Sequence, residues 1–182
     1  MTSVLIVPML PIEREAIESL TALLRKKIVH TTISLYEENI ITPIHAFDFT
    51  RNQYNSSVLL AHILEQFKNN EGKIVGITGV DLFVPVLTYV FGEAQLDGKA
   101  AMISTFRLDD ALYGYPPNPA LFNERLAKEA VHEIGHTFGL LHCFDYRCVM
   151  HSSTSVEEID VKGNSFCTDC ETVLKNGRTN NF

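Results

Sequence analysis

The chain has 182 residues, 46% hydrophobic and 20% charged. This is the balance of one ordinary globular domain, and it excludes disorder, collagen and coiled coil as whole-chain descriptions. The net charge of −7 argues against a nucleic-acid or anionic-membrane partner, since either selects a basic surface.

Residues 4–10 form a short apolar run rich in β-branched side chains and predict a buried strand. Pro11 is expected to open a helix through about Lys27, with Ile12, Ala16, Leu20, Leu23 and Leu24 recurring at helical spacing. Residues 29–36 alternate and predict a second strand. Residues 42–54 read as loop, 56–68 as a second helix and 73–78 as a third strand ended by Gly79. This β-α-β-α-β order predicts a mostly parallel, twisted sheet with right-handed crossovers. Residues 87–96 and 99–106 flank Asp97-Gly98, a dipeptide suited to a two-residue hairpin turn with positive φ at both positions. One antiparallel edge strand is therefore expected, giving a mixed sheet in an α/β fold. Beyond a Gly-, Tyr- and Pro-rich loop (113–117), Asn118 and Pro119 predict the cap and first residue of a helix reaching about Phe138. Gly139 then supplies a left-handed exit. A single domain is expected over 1–182, with residues 1–139 carrying the sheet and the active-site helix. Residues 140–182 form a small C-terminal subdomain held by metal.

The soft ligands are concentrated. All four Cys and four of the seven His lie between positions 132 and 170. His132 and His136, four apart on the predicted helix, share one face and can grip one metal. Glu133 lies about 100° round that helix, so it flanks the metal without ligating it. The turn at Gly139 brings His142 round as a third ligand. Three neutral imidazoles leave a Zn²⁺ its charge and an open position, which is the catalytic arrangement. An amphipathic helix with surface His and Glu is the bland alternative, but it gives no reason for the helix breaker and third His that follow.

The chemistry expected of such a site is hydrolysis of a peptide bond. The metal lowers the pKa of a water from about 15.7 towards about 7. Glu133 takes the water's proton and returns it to the leaving amine. An edge strand at residues 90–94 beside the metal would pair with an extended peptide or protein substrate. It is equally compatible with a plain sheet edge, because sequence does not place it in space.

Cys143, Cys148, Cys167 and Cys170 follow immediately, and four thiolates close a tetrahedral structural zinc site. Cys167 and Cys170 are expected at the start of a short helix, whose amides favour thiolates. Disulfides in an exported protein are the alternative. The first eight residues lack a basic segment, and no apolar run approaches the roughly 20 residues of a membrane span. A cytoplasmic location with reduced thiols is therefore expected, with no membrane partner and a monomer as the default.

The string HEIGHTFGLLHC from His132 to Cys143, then Cys148-Val149-Met150, then Cys167-Thr168-Asp169-Cys170, resembles the archaemetzincins, a metzincin-type family of zinc metallopeptidases. The resemblance is carried by about residues 132–170. It implies His132, His136 and His142 as zinc ligands, Glu133 as general base, Met150 as the Met-turn residue beneath the metal and the four Cys as a second zinc site. Two positions depart from wider metzincin patterns. Cys143 stands where many have an acidic residue, and Ser152 stands where some carry a metal-facing Tyr. Tyr146 and His151 are nearby polar candidates, although a surface or supporting place is the commoner fate. His30, His45 and His62 read as ordinary residues, and Gly76 and Gly79 form no phosphate-binding fingerprint. The rival functions are an amide hydrolase restricted to short peptides and a two-zinc interaction module with latent or lost activity.

Overall fold

A computed structural model describes residues 2–28 and 30–179; residue 29, the first of the expected second strand, and residues 180–182 lie outside the described residues. The apolar N-terminal run is strand β1 (Thr2–Leu10), with Val4, Ile6, Val7 and Met9 fully buried. Burial on both faces suits a central parallel strand. Helix α1 (Arg14–Lys27) is capped at Glu13, so Pro11 precedes the helix rather than opening it. The Pro11 carbonyl instead accepts the Gly79 N–H at 2.6 Å, tying the ends of two neighbouring strands together. Strand β2 (Thr31–Leu35) pairs parallel with β1, and β3 (Ile40–Ile41) continues that pairing at Met9 and Leu10.

The stretch read as loop contains β4 (Phe47–Asp48) and β5 (Gln53–Asn55). Strands this short carry no readable period. Helix α2 (Ser56–Gln66) follows, its Asn55 side chain accepting the Val58 N–H at 3.3 Å. Strand β6 (Lys73–Thr78) lies parallel to β1, and β7 (Leu82–Phe83) joins β4 and β5 in a small second sheet. Strands β8 (Gly92–Ala94) and β9 (Ala100–Ser104) pair antiparallel. The main sheet runs β2-β1-β6-β9-β8, parallel except for the edge strand β8.

The hairpin turn differs from the expected two-residue form. Gln95 pairs with Ala100, leaving residues 96–99 as the loop. Asp97 has φ 50°, whereas Gly98 is not in the positive-φ region. The loop is shaped by what it docks on. Asp97 donates its backbone N–H to the His136 carbonyl at 2.9 Å. Lys73 Nζ donates to the carbonyls of Gly98 at 2.8 Å and Thr137 at 2.7 Å.

Helix α3 (Pro119–Thr137) begins as expected, with the Asn118 side chain accepting the Leu121 N–H at 3.2 Å and Pro119 at the first position. It ends at Gly139, whose φ of +88° is the left-handed exit. Two short helices follow, α4 (Val156–Val161) and α5 (Thr168–Thr179). Alternating residues of the sheet divide the core. Val4, Ile6, Val75, Ile77, Ala101 and Ile103 pack towards α1 and α3, and Val7, Met9, Ile74, Ala100 and Met102 pack towards α2. Each buried Ile or Val contributes about 1.5–3 kcal/mol. Val149, Met150, Val156 and Ile159 of the C-terminal region join the α1–α3 side. This anchors the far wall of the site to the same core that holds α3.

Candidate active site and metal centres

Helix α3 runs into the core, so its second half is buried on several sides, including His132, Glu133, Ile134 and Gly135. The 3.6-residue period stacks His132 and His136 on one face with ring centroids 4.6 Å apart. The turn at Gly139 returns His142 to within 5.3 Å of the His132 ring and 4.9 Å of the His136 ring. One ring nitrogen from each of the three falls within 4.8 Å of the others. His132 Nδ1–H donates to the Val149 carbonyl at 2.8 Å, and His136 Nδ1–H donates to the Leu140 carbonyl at 2.7 Å. These bonds place the proton on Nδ1 and leave Nε2 as a lone pair. Two such lone pairs then face each other, with His132 Nε2 3.1 Å from His136 Nε2. Facing lone pairs repel unless a cation lies between them, so the donor set fits a metal. Burial holds all three imidazoles below their ordinary pKa, His132 most strongly, with the Lys162 charge adding to it. They are therefore neutral ligands at neutral pH.

Glu133 is buried, and its Oε2 bonds to no protein group among the described residues. Burial, then the charges of Glu129 and Glu93, push its carboxyl well above the ordinary range, against an opposing pull from Lys162. A dication among the three imidazoles pulls the same way as Lys162. The carboxyl group lies against Gly92 of β8; a Cβ there would stand 2.5 Å from Glu133 Oε1. The bare edge strand thus makes room for the acid. Gly92 falls within the edge strand expected at residues 90–94, but its place against Glu133 is not legible there, because the signal is the absence of a side chain opposite a residue 41 positions away.

These groups line a cleft of about 540 Å³. One wall is residues 87–94, of which only Gly92–Ala94 is strand, shorter than the 87–96 expected because Val90 makes just one isolated bridge, to Leu82; the floor is α3, and the other wall includes Ser152, Ser153, Thr154 and Lys162. Tyr89 fixes the first wall to the second by donating its hydroxyl to the Thr154 carbonyl at 2.6 Å. Met150 is fully buried beneath α3 at Gly135. Of the two polar candidates, Tyr146 is 62% exposed, and His151 bonds through Nδ1 to the Cys143 carbonyl at 2.9 Å.

The second centre adjoins the first in sequence. Its four sulfurs lie within 4.8 Å of one another, with Cys143 Sγ 3.7 Å from Cys167 Sγ and Cys148 Sγ 3.8 Å from Cys170 Sγ. Four ligands tetrahedrally disposed at a Zn–S distance of about 2.3 Å stand about 3.8 Å apart, far beyond a disulfide. The backbone N–H groups of Cys167 and Met150 point at Cys148 Sγ, at 3.3 and 3.5 Å. The Cys170 backbone N–H draws the Cys167 thiol below its ordinary pKa, as a helix start favours. The two centres are also bonded to each other, because the Cys143 N–H donates to the Met150 carbonyl at 2.9 Å.

No helix among the described residues is long and apolar enough to cross a membrane. The sequence model of peptidase family M54 matches residues 13–176. The archaemetzincin of Methanocaldococcus jannaschii is 44% identical over 128 residues, covering 70% of this chain and 69% of that one. The archaemetzincin of Haloquadratum walsbyi is 39% identical over 167 residues, covering 90% and 91%. The crystal structure of archaemetzincin from Methanopyrus kandleri superposes with a TM-score of 0.83 at 31% identity, covering 98% of this chain and 96% of that one. With a three-imidazole group and a four-thiolate group placed to hold two zinc ions, the chain belongs to peptidase family M54 and is a zinc metallopeptidase acting on peptide or protein substrates.

Proposed function

We propose that His132, His136 and His142 hold the catalytic zinc, that Glu133 is the general base, and that Cys143, Cys148, Cys167 and Cys170 hold a structural zinc within one catalytic domain spanning 1–182. The observation that carries this assignment is the convergence of three neutral imidazoles and an unpartnered carboxylate oxygen in one cleft beside a sheet edge. A bound zinc acidifies a water and polarises a carbonyl there. The remaining steps belong to the chain. Strand β8, as the edge strand, offers its unpaired backbone groups to an extended peptide and so sets the scissile carbonyl at the imidazole end of the cleft. Glu133 Oε2, free of other bonds, accepts the proton of the attacking water and delivers it to the leaving amine nitrogen. Val149 and Leu140 orient the imidazoles through their carbonyls, and Met150 supports the helix below. The four-thiolate site holds the segment carrying His142 and Met150 in place. Thiols spaced for a metal rather than a disulfide support a reducing, cytoplasmic setting.

His136→Ala tests the assignment. The variant is expected to bind one zinc instead of two and to cut nothing in a mixed peptide library that the wild type cleaves. Retention of both zincs, or of cleavage, overturns it.

A further inference from the structure

Two buried lysines near α3 differ in how their ammonium groups are satisfied. Lys128, 3% exposed, reaches three acceptors: the Ile159 carbonyl at 3.0 Å, the Asp160 carbonyl at 2.9 Å and Glu124 Oε1 at 2.9 Å. That uses its three N–H donors. Lys162, 2% exposed, has one short partner, Glu129 Oε1 at 2.7 Å, and one long contact, the His151 carbonyl at 3.5 Å. Leaving donor capacity of a buried ammonium unused is costly, so an acceptor is expected to arrive from elsewhere. The cleft that holds Glu133 is also lined by Lys162. A second unused donor lines the same cleft: Ser153 Oγ is buried and bonds to no protein group among the described residues. Together with Glu133 Oε2 it completes the set of buried side-chain polar atoms without a partner among the described residues. One is an acceptor and one a donor, and both belong to this cleft.

We infer that Lys162 and Ser153 form the oxyanion-binding corner of the active site, donating hydrogen bonds to the scissile carbonyl oxygen as it gains negative charge. The inference rests on the peptidase assignment above. Lys162 acts only as a hydrogen-bond donor, and no proton or electron pair passes to or from it. The bond that forms is from water oxygen to carbonyl carbon, the one that breaks is to the leaving nitrogen, and Glu133 carries the proton between them. A compact ammonium suits this task because its charge can turn towards the oxygen without repositioning the stem. Glu129 holds that charge at the floor of the cleft, one helical turn before Glu133. Both donors come from the same wall of the cleft, Ser153 and Lys162 standing nine positions apart in the chain.

The test uses the zinc-loaded full chain. Lys162→Met combined with Glu129→Leu removes both members of the ion pair, so no orphan charge stays buried. Ser153→Ala leaves the pair intact and does not threaten the fold. Zinc content, hydrolysis of a fluorogenic peptide and calorimetric affinity for a phosphinic pseudotripeptide, an anionic tetrahedral mimic, are compared with affinity for the uncharged peptide amide of the same side chains. In the double variant, kcat and phosphinate affinity are expected to fall together by about 10²–10³-fold, with amide affinity and two zincs retained. Ser153→Ala is expected to lose about fivefold to tenfold in both. A double variant that keeps two zincs and binds the phosphinate within twofold of wild type overturns the inference while sparing the peptidase assignment, as does an unaffected Ser153→Ala should the double variant not fold. A wild type that carries two zincs yet cleaves no peptide overturns the assignment and the inference with it.

Discussion

Met150 lays its thioether over the bare Cα of Gly135: a Cβ on Gly135 would stand 2.5 Å from Met150 Sδ and 3.2 Å from both Met150 Cε and a ring carbon of Phe166. The helix bearing two of the three imidazoles and the turn beneath them therefore touch without a side chain between them. Gly135 costs α3 about 1 kcal/mol of helix propensity relative to Ala. Restoring that propensity by Gly135→Ala is expected to destabilise nonetheless, because Met150 is fully buried and cannot swing clear. Overpacking of about 1–3 kcal/mol outweighs the gain. Calorimetry should show a melting temperature lower by several degrees, and Met150→Ala in the same chain should recover part of the loss.

Gly92 stands in the same relation to Glu133 as Gly135 to Met150. A Cβ on Gly92 meets Glu133 Oε1 at 2.5 Å and its Cγ and Cδ at 2.7 Å. Gly92→Ala is expected to displace the carboxylate by a fraction of an ångström to an ångström. A misplacement of that size lowers kcat by up to about 10²-fold. Steady-state kinetics with zinc content in parallel should show kcat falling while both zincs remain.

The four-thiolate group is coupled to the three-imidazole group through Cys143, which follows His142 and donates its backbone N–H to the Met150 carbonyl. Cys167→Ser is expected to release one zinc and to weaken the hold on the other. Mass spectrometry under native conditions should find one zinc or none in place of two, and a chelator should strip the remaining ion faster than from wild type.

Arg125 joins α3 to the chain around it. It forks onto Asp160 with two bonds of 2.7 Å, reaches Asp110 Oδ1 at 2.7 Å and donates to the Leu108 carbonyl at 2.8 Å. Arg125 is 4% exposed, so removing it strands two carboxylates and a carbonyl. Arg125→Ala is expected to cost about 3–5 kcal/mol by denaturant unfolding. Below the new midpoint, kcat per folded molecule should stay unchanged, since no contact of Arg125 reaches the cleft.

The three imidazoles, Glu133 and the four thiolates were legible because helical period, a glycine exit and fixed spacing are local properties. The β-α order and the Asn118–Pro119 start of α3 were legible for the same reason. Other features depend on distant residues. Gly92 matters through Glu133, Lys162 through Glu129, and Ser153 through a cleft whose opposite wall is a strand 60 positions earlier. The turn at Asp97 took its form from the His136 carbonyl and Lys73 rather than from the Asp-Gly dipeptide. Pro11 lost its expected place at the helix start because its carbonyl is engaged by Gly79. The short strands β4 and β5 exist through pairing with each other and with β7, which two- or three-residue segments do not announce.

The central claim is that zinc binding and proton transfer reside on different side chains, the imidazoles for one and Glu133 for the other. Glu133→Gln preserves shape and removes the base. Zinc content by inductively coupled plasma spectrometry should stay near two per chain while peptide hydrolysis falls by about 10³-fold or more. Hydrolysis at the wild-type rate in a variant holding both zincs would contradict the account.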